Sequence, residues 1–167
     1  MNTGEFYDIL LYMCVQAENL GVYFSCARCS SCCRYESGFV YLSENDLAKL
    51  CRFSGMEKNE FIPLYCRWAP YYDAFYALSL KEKSNYDCVF YDEASGGCAV
   101  YAARPVQCET YPFWTHITAS KKTWEESAAH CPGMREGLNQ KGAFYAAETV
   151  ALNTERYKTN VPVLRKG

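Results

Sequence analysis

The sequence predicts an α+β fold: several helices around a small antiparallel β-hairpin or sheet, with cysteine-rich metal-binding loops at their junction. Three observations carry this. Apolar residues recur at helical spacing in separate stretches bounded by caps and glycines. Two short aromatic runs, Cys88-Val89-Phe90-Tyr91 and Cys98-Ala99-Val100-Tyr101, flank the Gly-containing loop 92–97 and read as a hairpin. Cys26, Cys29, Cys32 and Cys33 place four thiols within one short polar run.

The 167 residues suit one domain, 1–167, with a motif core at about 23–135. Half of them are hydrophobic, which argues against disorder. The net charge of −2 disfavours a broad nucleic-acid surface. No apolar run is long enough for a bilayer, and the acidic opening lacks a basic leader, so the expectation is a cytoplasmic protein with reduced thiols and no membrane partner.

In chain order, Phe6, Ile9, Leu10, Met13, Cys14, Ala17 and Leu20 predict an amphipathic helix over residues 4–20, stopped at Gly21. The cysteine run reads as a loop. Phe39–Leu42 reads as extended. Ser43 is a helix cap, with Glu44 and Asp46 in the first turn; Leu47, Leu50 and Cys51 form the stripe and Gly55 the stop. A second helical segment covers Glu57–Cys66, where Pro63 is expected to fracture a continuous helix. Cys14, Cys51 and Cys66 read as core residues, dispensable for metal. Asp73–Leu80 reads as a strand and Lys81–Asn85 as a polar turn.

Arg104-Pro105 opens a helical turn, with Pro at its first position, that Pro112 ends by residue 111. Thr123-x-x-Glu126 reads as a capping box with Thr123 as the cap. Cys131-Pro132-Gly133 reads as a turn. A last helix is expected from about Leu138 to about Tyr157, with Ala143, Ala147, Val150, Ala151 and Thr154 on a small-residue face, and 159–167 as a tail.

Thiolates are soft ligands for zinc, copper(I) or iron–sulfur clusters. The Cys-x2-Cys-x2-Cys spacing lets three sulfurs converge, as in the ferredoxin run. Buried or disulfide-bonded cysteines are the plain alternative. Cys88, Cys98 and Cys108 are evenly spaced, and with Cys131 they make a second set of four. Eight thiols suffice for two four-cysteine sites. Adjacent side chains project apart, so Cys32 and Cys33 are expected to serve different metals or different atoms of one centre. Arg104 lies between presumed ligands and is a candidate donor to sulfur or a nearby carbonyl; Arg28 and Arg34 could act likewise or face solvent. His130 adjoins Cys131, but eight cysteines leave no vacancy for it. His116 reads as a surface residue. With metal as its chief organiser, the motif-bearing half is expected to lose cooperative unfolding on chelation.

The run Cys26-x2-Cys29-x2-Cys32-Cys33, then Cys88, then Cys98-x2-Tyr101-x2-Arg104-Pro105-x2-Cys108-x2-Tyr111-Pro112-Phe113, extended by Trp124 and Cys131-Pro132-Gly133, resembles the YkgJ-type CxxCxxCC cysteine-cluster family. Ser30-Ser31 stands where that family often has a Gly. The resemblance implies chelation of zinc or iron. The expected function is a metal-binding protein holding one or two cysteine-ligated centres, iron–sulfur or zinc, in a structural or redox role. Iron–sulfur is slightly favoured by the three-cysteine run. The alternatives are a protein-modifying enzyme, by analogy with flagellin lysine N-methylases, and a metal-stabilised scaffold for a protein partner. No catalytic motif stands out beyond the cysteines, so catalysis is left open.

Overall fold

The computed structural model describes residues 21–167; the helix expected over 4–20, with Cys14, lies outside them. The chain runs β1 (Val22–Phe24), a 3-10 turn (Ser31–Cys33), α1 (Glu44–Ser54), α2 (Lys58–Tyr65), β2 (Cys66–Tyr72) and β3 (Phe75–Leu80). It continues through β4 (Tyr91–Asp92), β5 (Gly97–Cys98), a second 3-10 turn (Tyr101–Ala103) and α3 (Val106–Thr110). It ends with α4 (Lys121–Ala128), α5 (Pro132–Leu138), β6 (Ala143–Tyr145), α6 (Ala147–Lys158) and β7 (Leu164–Lys166). The class is α+β and every strand pair is antiparallel. No helix among the described residues is long and apolar enough to cross a membrane. The contacts divide the chain into two compact units.

The sheet unit comprises Arg28–Tyr111 and Thr159–Gly167. Its sheet has the order β2-β3-β7. Ala77, Leu78, Ser79 and Leu80 are buried in succession, as a central strand covered on both faces requires. The expected strand begins two residues late because Asp73, at φ 44°, makes the turn instead. The sequence reading had no strand at β2. Pro70 disguises it, yet an edge strand tolerates Pro, and the register slips between Pro70 and Tyr72. The expected tail is also corrected: β7 pairs Ala77 with Leu164 and Phe75 with Lys166. Beside it the extended segment runs on, with the Leu42 N–H donating to the Leu78 carbonyl and the Val163 N–H to the Leu42 carbonyl, both at 2.9 Å.

The Ser43 capping box forms with Asp46, and Gly55 closes α1 at φ 68°, a left-handed conformation that costs glycine little. The helix turns Leu47, Leu50 and Cys51 into a core with Phe61, Leu78 and Phe90. Pro63 does not fracture α2. Standing near the end of the helix, its ring forfeits one intrahelical bond, and the Cys66 N–H still reaches the Ile62 carbonyl.

The helix-rich unit comprises the described part of Met1–Ala27 together with Pro112–Lys158. Here β1 pairs with β6, Tyr23 opposite Phe144. Phe113 stands among Phe24, Trp124 and Tyr145, at ring-centroid distances of 5.9, 6.1 and 4.9 Å. Three readings are corrected. Ser120, not Thr123, caps α4; Thr123 reciprocates at the third position, so the helix starts earlier. Cys131 is the N-cap of α5, with Pro132 at the first helical position, where its missing N–H costs nothing. The long last helix is interrupted: Gln140 at φ 58° and Gly142 at φ 98° turn the chain, and residues 143–145 pair as β6 before α6 begins. On α6, Val150 is buried and Ala147, Ala151 and Thr154 are half-buried.

Candidate metal centre

Arg28 and Ser30 both take left-handed backbone, at φ 52° and 60°, so the cysteine run coils instead of extending. The 3-10 turn follows, closed by the Cys33 N–H on the Ser30 carbonyl at 2.8 Å. This turn brings the two vicinal sulfurs to 3.8 Å, where divergence was expected. The loop is tied to the hairpin region at three points. The Ser30 hydroxyl donates to the Gly96 carbonyl at 3.0 Å. The Cys88 N–H donates to the Cys33 carbonyl at 2.8 Å. Arg34 pairs with the buried Asp87 carboxylate at 3.1 Å and donates to the Tyr91 hydroxyl at 2.9 Å. Arg34 is therefore an anchor of the loop, and Asp87 is a residue the sequence reading missed; its only signal was a carboxylate next to Cys88.

The hairpin is shorter than its sequence suggests. Only Tyr91–Asp92 and Gly97–Cys98 pair, Cys98 opposite Tyr91. Cys88 precedes it, in a turn closed by the Tyr91 N–H and bridged to Glu82. Cys108 rides on α3, which its chain neighbours hold in place. The Val106 N–H donates to the Asp46 carboxylate at 2.8 Å. The Gln107 amide accepts from the Tyr41 N–H and donates to the Phe39 carbonyl, and Glu109 pairs with Lys49.

Cys32, Cys33, Cys88, Cys98 and Cys108 perturb one another, which places five thiols in one electrostatic neighbourhood. The hydrogen bond from Cys33 brings the Cys32 thiol down to about 7, against the burial that opposes it. Sharing that bond pushes the Cys33 thiol up, so the pair releases one proton readily and holds the second. Burial above all pushes Cys88, Cys98 and Cys108 up; Arg104 draws Cys98 and Cys108 back down.

The remaining candidates stand elsewhere. Cys29 is exposed in the sheet unit, its sulfur 3.3 Å from the Ser31 hydroxyl. Cys26 and Cys131 belong to the helix-rich unit. There Gly133 lies against the Ser25 carbonyl, so the two cysteines flank one backbone contact. Cys51 and Cys66 are in the apolar core, as read from the sequence, and burial pushes the Cys66 thiol up to about 12. His116 and His130 are exposed. Among the described residues no three His, Cys, Asp or Glu side chains are gathered closely enough to hold a metal ion.

Arg104 stacks on Tyr101, its Cζ 3.5 Å from the ring centroid, and its buried Nε has no hydrogen-bond partner. A cluster of free thiols beside an orphaned guanidinium N–H is a donor set that fits a thiolate-bound metal.

The comparisons agree with this chemistry. The model of the CxxCxxCC family, described as "Putative zinc- or iron-chelating domain", matches residues 25–132, and the chain belongs to that family. No solved structure matches it.

Proposed function

We propose that this protein holds a thiolate-bound metal ion in its sheet unit, with Cys32 and Cys33 as ligands of the same ion. The vicinal sulfur separation of 3.8 Å carries the reading. Tetrahedral zinc with bonds of about 2.3 Å keeps its sulfurs about 3.8 Å apart. A [4Fe–4S] cluster bound by four cysteines gives each iron one of them, so a converged vicinal pair favours a mononuclear centre, or a [2Fe–2S] cluster in which each iron takes two, over a [4Fe–4S] cluster. Two positions of a tetrahedral ion then remain, and Cys88, Cys98 and Cys108, with Cys29 from the same loop, are the candidates for them. Cys26 and Cys131, in the helix-rich unit, are candidate metal ligands on the motif alone and are given no place on this ion. The bound metal would cross-link loop, hairpin and α3. With every position filled by sulfur it would serve structure or thiol chemistry, since catalytic zinc keeps an open position. Thiolate ligation of this kind suits a reducing compartment.

The test is metal analysis of anaerobically purified protein and of its Cys32→Ser and Cys33→Ser variants. Zinc or mononuclear iron without acid-labile sulfide is expected, with each substitution removing roughly the same single equivalent. Acid-labile sulfide in proportion to iron would replace the mononuclear reading with a cluster. Loss of metal from only one of the two variants would separate the vicinal pair.

A further inference from the structure

Two guanidinium groups converge on one ring beside the thiols. The Arg28 Cζ lies 4.6 Å and the Arg104 Cζ 3.5 Å from the Tyr101 centroid. No carboxylate is within ion-pair distance of either among the described residues, and the Arg104 Nε is buried without a partner. For Arg104 this is costly unless an anion answers it, because a buried N–H without an acceptor loses its hydration for nothing; Arg28 is exposed. The ring alone answers only in part, since a cation–π contact leaves the N–H groups unbonded.

Cysteines lie close to both arginines in the chain. Tyr101 stands three residues after Cys98 and three before Arg104, and Arg28 immediately precedes Cys29. Four thiolates about a divalent ion carry a net charge of −2, and two guanidiniums carry the opposite. We infer that Arg28, Tyr101 and Arg104 form a cationic clamp that neutralises the thiolate centre, with the Arg104 Nε–H donating to a ligand sulfur and Tyr101 as the platform that aims it. This rests on the metal reading above and adds to it the groups that set metal affinity and the electronic character of the sulfurs.

The experiment uses the full chain loaded with cobalt(II), read by its sulfur-to-metal charge-transfer bands, and with zinc(II), read by competition against a chelator. Arg104→Met should weaken zinc binding about tenfold or more, in the range typical of groups that bond to ligands. It should also move the charge-transfer bands to lower energy, because a sulfur that loses an N–H donor gives up its electrons more easily. Arg104→Lys should recover part of the affinity and little of the band position. Arg28→Met removes an exposed side chain, so it tests the clamp even if Arg104→Met folds poorly; it should weaken zinc binding in the same direction. Wild-type affinity and an unmoved spectrum in both Met variants would overturn the clamp while leaving the metal centre standing. Failure of the wild-type chain to take up cobalt or zinc would overturn both.

Discussion

Asp46 is 1% exposed, and through the Val106 N–H it helps fix where Cys108 stands. Its carboxylate accepts from the Ser43 N–H and hydroxyl, from the Val106 N–H at 2.8 Å and from the Asn160 amide at 2.8 Å. One side chain thus joins the cap of α1, the start of α3 and the segment that leads to β7. Hydrogen bonds to a charged group are worth about 1.5–3 kcal/mol each, and buried donors left behind add their own penalty. Asp46→Ala should therefore cost about 3 kcal/mol or more in urea unfolding of the sheet unit; a loss below about 1 kcal/mol would show the carboxylate to be replaceable. The sequence made half of this legible. Ser43-x-x-Asp46 reads as a capped helix start, since the partners lie within one turn. Val106 and Asn160 were not readable as partners, because nothing local marks a donor so far along the chain. Asp87 and Gln107 were missed for the same reason.

Between elements, α5 lies close against the backbone of β1. A Cβ built on Gly137 would lie 1.9 Å from the Tyr23 carbonyl oxygen, and one on Gly133 would lie 2.2 Å from the Ser25 carbonyl oxygen. Both obstacles are backbone, so no side chain can swing aside. In an exposed helix, Gly→Ala would gain up to about 1 kcal/mol from propensity. At Gly137 the sign should reverse, with α5 pushed off the strand at a cost of roughly 2 kcal/mol, seen as a fall in melting temperature. A Gly137→Ala variant as stable as the parent would mean that α5 can slide on β1 without loss. These glycines also explain why α5 was unreadable from sequence. Glycine is a poor helix former, and Cys-Pro-Gly looks like a turn; Pro at the first helical position was the signal to weigh. The capped helix α1 and the strand β3 were legible because their whole pattern lies within one segment. The edge strand β2 and the strand β7 draw their stability from partners, which propensity does not record.

At the scale of the whole molecule, the candidate site is legible in a particular sense. The motif picked out Cys32, Cys33, Cys88, Cys98 and Cys108, which fold into one neighbourhood, and set aside Cys51 and Cys66, which fold into the core. It could not supply the 3-10 turn that converges the vicinal sulfurs, which depends on two left-handed residues that are neither Gly nor Asn. The sheet unit also has an apolar core of its own, with Leu42, Leu47, Leu50, Phe61 and Leu78 almost wholly buried. Metal is then not its sole organiser. Removing metal from the loaded protein should lower the melting temperature yet leave a cooperative transition, with faster amide exchange confined to the cysteine loop and the hairpin. Complete unfolding on chelation, as in a zinc finger, would show that the apolar core cannot stand alone.

The pairing of Ala77 with Leu164 has a consequence for how the chain is made. On the ribosome, β2 and β3 emerge together and can close their hairpin at once. On the other edge of β3, Val40–Leu42 can already bond to Leu78–Leu80, but Phe75–Ala77 must wait while all of Pro112–Lys158 is synthesised, because the strand that covers them comes after that segment. Through that interval the nascent chain carries an open sheet edge, together with a run of thiols that already includes Cys108. Both invite wrong partners, by strand addition and by premature oxidation or metal capture. Translation order therefore makes β7 the latch of the sheet unit, the strand that closes the last of the β3 edge.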